Sequence, residues 1–169
     1  MKINFLIYIF RFIALILLQV LILNNVQFSG YINPFVYILF IITLPFDTNP
    51  SFVMALGFIL GISIDMFSNT MGMHTTATVL MCFVRPAFIR LLIPKNDFDA
   101  FPSPTHKELG LNRFLSFSIF LTLVHHFALF YIEVFKISYF FSTFFRAITS
   151  SIFTILLIIF IQYLFSKKK

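Results

Sequence analysis

Asp65, His74, His125, His126, Glu133 and Arg146 draw attention first, because they lie in or beside long apolar stretches, where ionisable side chains are costly and specified by their surroundings. If those stretches are helices, counting along them at about 1.5 Å per residue brings all of these residues toward one end of a bundle, as one polar cluster. Paired histidines raise the possibility of metal or proton chemistry. The spacing argues against a shared ion, since neighbouring helix residues point about 100° apart and His125 and His126 do not readily face one metal together. Hydrogen bonding between helices is the favoured reading. Glu133 and Arg146, opposite in charge and close to the same boundary, are expected to pair. Arg11 and Arg85 fall roughly 10 Å inside the opposite edge, near enough for a guanidinium to snorkel outward along its own stem. Asp65 and Arg85 differ by about 15 Å in depth on adjacent antiparallel helices, too far for a direct pair.

Catalysis asks for a nucleophile, a base and an orienting group held together. Neither G-x-S-x-G nor H-E-x-x-H occurs, and Ser and Thr are scattered, so the expectation is a noncatalytic protein without metal or cofactor. Cys82 is the single cysteine and builds neither a disulfide framework nor a thiolate cluster within one chain. The clearest spacing signal is structural. Gly57, Gly61 and Asp65 recur at i, i+4 and i+8 on one helical face, and Gly72 follows in a turn. Two glycines on a stripe let a neighbouring backbone approach closely. Packing inside the chain and a partner interface fit this stripe equally, and Asp65 on it points to a specified contact.

The elements that must hold these residues follow from composition. Hydrophobic residues make up 60% of the chain and charged residues 11%, against roughly 25% charged in a soluble domain. Mean hydropathy is +0.99. The fold class is therefore an all-α membrane protein, a polytopic bundle of about six transmembrane helices forming a single membrane domain over residues 1–169. The expected spans are about 5–23, 31–44, 51–67, 73–92, 113–132 and 141–165, with an irregular loop at 93–112 rich in proline and charge. The first span contains Arg11 and ends in Asn24 and Asn25 without a small-residue cleavage site, so it reads as a retained helix rather than a signal peptide. The 27 phenylalanines without a tryptophan need no aromatic binding box, because an AT-rich coding sequence inflates Phe wherever an apolar residue is tolerated.

The net charge of +6 is topological information rather than a nucleic-acid signal. Lys2, Arg90, Lys95, Lys107, Arg113 and Lys167 to Lys169 fall on one side of a six-span arrangement, while the connections at 24–33 and 68–72 carry no basic residue. Both termini are assigned to the cytoplasm. The short second segment, bounded by Pro34 and Pro45, also fits a re-entrant hairpin with the third, which would leave four spans and keep the termini together.

From Gly61 through Ser63, Asp65, Ser68, Asn69, Gly72 and His74, and on to Arg85 and Pro86, the sequence resembles the rod shape-determining protein MreD family: a Gly-rich apolar helix ending in Asp, a turn with Gly, and a helix opening on small or polar residues. The likeness covers about residues 19–92. It implies a noncatalytic scaffold of the bacterial cell-elongation machinery in the cytoplasmic (inner) membrane, working beside an MreC-like bitopic protein and, indirectly, actin-like MreB and the peptidoglycan synthases. That family also resembles, in membrane fold, the substrate-binding subunits of energy-coupling-factor transporters, a likeness of fold that does not transfer transport. A small-molecule-binding subunit of a transporter, with a pocket near Asp65, His74 and Arg146, is the alternative function.

Overall fold

The structure is a computed structural model and describes residues 5–25, 31–93 and 104–165. Lys2, Lys95 and the lysines at 167–169, used in the sequence reading, lie outside the described residues, as do residues 94–103 of the expected loop. The described elements are helical. Helix α1 (Phe5–Leu17) continues through a π turn (Leu18–Ile22) and a 3-10 turn (Leu23–Asn25). Then come a 3-10 turn (Val36–Ile38), α2 (Leu39–Ile42), α3 (Pro50–Ser68), α4 (Met73–Leu92), α5 (His106–Leu109), α6 (Leu111–Val134), a 3-10 turn (Ile137–Tyr139) and α7 (Phe140–Leu164).

Five of these are long and apolar enough to cross a membrane: Leu6–Asn25, Pro50–Ser68, Met73–Leu92, Leu111–Val134 and Phe140–Leu164. The shortest has 19 residues, about 28 Å of helix against a hydrocarbon core of about 30 Å. Phe10, Phe58, Phe83, Phe145 and Phe160 stand exposed on the sides of α1, α3, α4 and α7, an apolar girdle suited to lipid. Helices α3 and α4 form an antiparallel hairpin, α4 packs on α6, and α6 on α7. Phe88 stacks on Phe120 at 4.0 Å between α4 and α6, while Phe127 meets Phe144 at 5.4 Å between α6 and α7.

The expected second span, 31–44, differs. It contains no helix longer than the four residues of α2, and from Pro34 to Leu44 every residue is buried. Its length explains this: the stretch between Pro34 and Pro45 would rise only about 15 Å as a straight helix, half a bilayer core. Pro34 also biases Asn33 toward extended backbone. The result is a broken segment, extended before Val36, then a 3-10 turn and a single α turn, threaded among the long helices. The expected irregular loop at 93–112 is corrected in part: α5 is helical, Leu109 is buried, and His106 stacks on Tyr163 of α7 at 4.6 Å.

Candidate functional site: a polar core and an end cleft

The α3–α4 hairpin is built by the glycine stripe. A Cβ on Gly61 would run into the Thr75 backbone at Cα, with the Thr75 nitrogen at 2.9 Å and the His74 carbonyl oxygen at 3.1 Å. A Cβ on Gly57 would instead meet the Cys82 side chain at Sγ. The stripe is thus used within the chain. At its end Asp65 clasps the start of α4: Oδ1 accepts from Thr70 Oγ1 and from the His74 amide at 3.0 Å, and Oδ2 accepts from the Thr75 amide at 2.9 Å and Thr75 Oγ1 at 2.6 Å. These amides belong to the first turn of α4, where donors otherwise lack helical partners and a negative charge is favoured. The turn between the helices takes Asn69 (φ 55°) and Gly72 (φ 80°) through left-handed backbone, the conformation that glycine adopts without steric cost.

Behind the hairpin, polar side chains from the long helices satisfy the broken segment. Ser150 and Thr154 of α7 accept from the amides of Asn33 and Phe35 at 3.1 and 3.0 Å. Gln19 of the α1 span accepts from the Val36 amide at 2.9 Å and donates to the Pro34 carbonyl at 3.1 Å. Arg85 of α4 donates to the carbonyls of Leu44 and Pro45 and lies 5.8 Å from the Phe117 ring centroid. Non-helical backbone at membrane depth is tolerated only when protein or water supplies its hydrogen bonds, and these side chains supply them. Arg85 therefore corrects the snorkelling expectation: it is 1% exposed and turned inward. Arg11 is exposed on α1, as a snorkelling side chain requires.

The expected polar cluster is divided among several tasks. The hydroxyl of Tyr37, on the broken segment, joins His74 Nδ1 (3.0 Å) to His125 Nε2 (2.6 Å). His126 turns the other way, its Nδ1 facing the Thr122 carbonyl and its Nε2 the Thr154 hydroxyl, both at 2.9 Å. The two histidines diverge as helix geometry requires. The Phe35 ring packs against all three, with centroids 5.0, 6.0 and 5.3 Å from His74, His125 and His126. Glu133 and Arg146 form the expected ion pair at 3.1 Å. Among the described residues no three His, Cys, Asp or Glu side chains gather as a metal site. Gln19, Tyr37, Ser150 and Thr154 were not singled out in the sequence; two prolines closing a stretch too short to cross were the available signal that such partners were needed.

A cleft of about 360 Å³ opens at the end of the bundle where α1, α3 and α6 finish and α4 and α7 begin. His74 and Phe35 line it beside Glu133 and Arg146, with Asn24, Asn33, Ser68 and Thr70 around them. Asn24 donates to Ser68 at 2.9 Å, tying α1 to the hairpin, and the Asn33 carboxamide oxygen, oriented toward Arg146, accepts from Nη2 at 2.8 Å. A second hollow of about 530 Å³ is lateral and apolar, lined by Tyr8, Phe12, Phe40, Leu44, Phe52 and Leu56 among others. It lies between α1 and α3 in the half of the bundle away from the cleft.

No family model matches the chain, and neither a curated protein nor a solved structure matches it.

Proposed function

We propose that this protein is a noncatalytic scaffold of the bacterial cell-elongation machinery, supporting rod shape and lateral peptidoglycan synthesis by binding other membrane proteins. The observation that carries the reading is the Gly61–Asp65 hairpin. Of the residues on which the MreD resemblance rests, Gly61, Asp65 and His74 fix α4 against α3 by close backbone approach and carboxylate capping, and Gly72 gives the turn between them its left-handed backbone. A chain that spends its polar residues on holding helices in register is suited to presenting a fixed lateral surface. In this reading the chain crosses the inner membrane six times, the broken segment being the second crossing, and both termini are cytoplasmic. The single helix of an MreC-like bitopic protein docks in the apolar hollow between α1 and α3, and through it actin-like MreB and the peptidoglycan synthases are engaged. The likeness to the membrane fold of energy-coupling-factor subunits belongs to the same proposal.

Depletion in the native cell tests it: rods should round into spheres within a few generations, and re-expression of Gly61→Leu should restore neither shape nor co-purification of the bitopic partner. Rods that persist on depletion would remove the reading. The alternative, a small-molecule-binding subunit of a transporter, is favoured by the end cleft. It predicts growth arrest relieved by a nutrient supplement, with cell shape unchanged.

A further inference from the structure

The cleft carries charges of both signs and no excess of either. Glu133 and Arg146 are the carboxylate and the guanidinium among its described lining residues, and they meet through Glu133 Oε2 and Arg146 Nη1 at 3.1 Å. Arg146 is held rigidly. Its guanidinium carbon lies 4.4 Å from the Phe130 ring centroid, Nη2 reaches the Asn33 carboxamide, and Nε is buried without a partner. Glu133 is the more accessible of the two, with its side chain 40% exposed against 19% for Arg146. Phe35, Phe67, Met73 and Leu129 provide apolar wall, and His74 is fixed from behind by Tyr37.

An anion entering this cleft alone would draw Arg146 from Glu133 and leave a carboxylate unpaired; a cation alone would leave the guanidinium unpaired. The pair is partly solvated, so the loss is partial, but either outcome gives back a share of what the new contact gains. A molecule bearing an ammonium and an anionic group a few atoms apart meets both partners at once. We infer that the end cleft binds a small zwitterion, its ammonium on Glu133, its anionic group on Arg146 and its apolar part against Phe35 and Phe67. The volume, about 360 Å³, is at the small end of the roughly 300–1,000 Å³ usual for ligand sites. Two sources share this chemistry: a free α-amino acid, and the phosphoethanolamine headgroup of a lipid at the level where the helices end. The inference holds whether the bundle serves as a scaffold or as a transporter subunit.

The test uses the full chain in nanodiscs of phosphatidylglycerol, titrated by thermal shift with L-leucine, with isopentylamine, which lacks its carboxylate, and with 4-methylpentanoate, which lacks its ammonium. In the lipid arm phosphatidylethanolamine is mixed into the nanodiscs and its retention on the protein is read by native mass spectrometry. Leucine binding at least about tenfold tighter than either analogue, or about 1.4 kcal/mol, supports the free source; selective retention of phosphatidylethanolamine supports the lipid source. Glu133→Gln should erase the preference for the zwitterion over the anion, because no carboxylate is left to strand, and Arg146→Gln should erase the preference over the amine. Equal binding of the single-charge analogues on the wild-type chain, or no zwitterion bound in either arm, overturns the inference without recourse to any variant.

Discussion

A carboxylate in the last turn of a helix faces the negative end of that helix's dipole, an unfavourable position unless something else holds it. Asp65 occupies that position in α3 and is held by four donors from Thr70, His74 and Thr75. Its role is therefore to join two helices. Asp65→Asn turns one acceptor into a donor facing donors and should lower the unfolding free energy in detergent by about 2–3 kcal/mol, whereas Thr70→Ala, which removes one donor, should cost about 1 kcal/mol. Equal losses for the two variants would remove Asp65 from this role. Arg85 is the counterpart at the other end of α4. With Arg85→Met the carbonyls of Leu44 and Pro45 lose a charged donor, and a loss of roughly 2–3 kcal/mol is expected. Amide hydrogen exchange separates this effect from general destabilisation: protection should fall first across 33–45, while α3 and α4 stay protected.

At the scale of elements, the two glycines of α3 are not equivalent, and the difference comes from what each faces. At Gly61 the neighbour is backbone, which cannot step aside; at Gly57 it is the end of one short side chain. Gly57→Ala should be relieved by adding Cys82→Ala, which removes the sulfur in the way. Gly61→Ala should cost about 1–3 kcal/mol and find no relief from a side-chain substitution on α4, because the clash is with the Thr75 backbone itself. Thermal unfolding of the two singles and the Gly57→Ala/Cys82→Ala double decides it; a Gly61→Ala protein as stable as wild type would mean that the helices are not held at this distance. The stripe itself was legible in the sequence, since spacing at i, i+4 and i+8 is a property of one helix. What it packs against was not, because that depends on which helix comes alongside. The same limit hid Ser150, Thr154 and Gln19. Each is an unremarkable polar residue in its own helix and acquires a role only when the broken segment, distant in sequence, is laid against it. The Glu133–Arg146 pair was legible because opposite charges near one membrane edge, on helices joined by a short connection, have few other partners. The inward turn of Arg85 was not, since its stem is long enough for either direction and the carbonyls that attract it belong to a segment distant in sequence whose path past α4 no local pattern announces.

At the scale of the whole molecule, the broken segment decides how the chain can be threaded through a bilayer. Tyr31 donates to the Ser142 carbonyl, near the start of α7 and at the cleft end of the bundle, while Leu44 and Pro45 lie with Arg85, well along α4 toward the opposite end. Phe46 then packs on Phe117, early in α6, at 5.9 Å. Fifteen residues that are partly extended cover a depth that the same number in a helix would not, since extended chain rises about 3.3 Å per residue against about 1.5 Å. The re-entrant alternative would return the chain to the side from which it entered; here α3 starts at the end opposite to where α1 finishes and runs 19 residues back to the cleft end. Single cysteines at Asp47 and Asn69, both exposed, test the threading in intact cells, with Cys82 buried and silent. A membrane-impermeant maleimide should label Asn69→Cys from outside and reach Asp47→Cys only after the membrane is opened. The reverse pattern would invert the bundle, and an Asp47→Cys that stays unlabelled even after the membrane is opened, with Asn69→Cys still labelled from outside, would restore the re-entrant hairpin and four crossings.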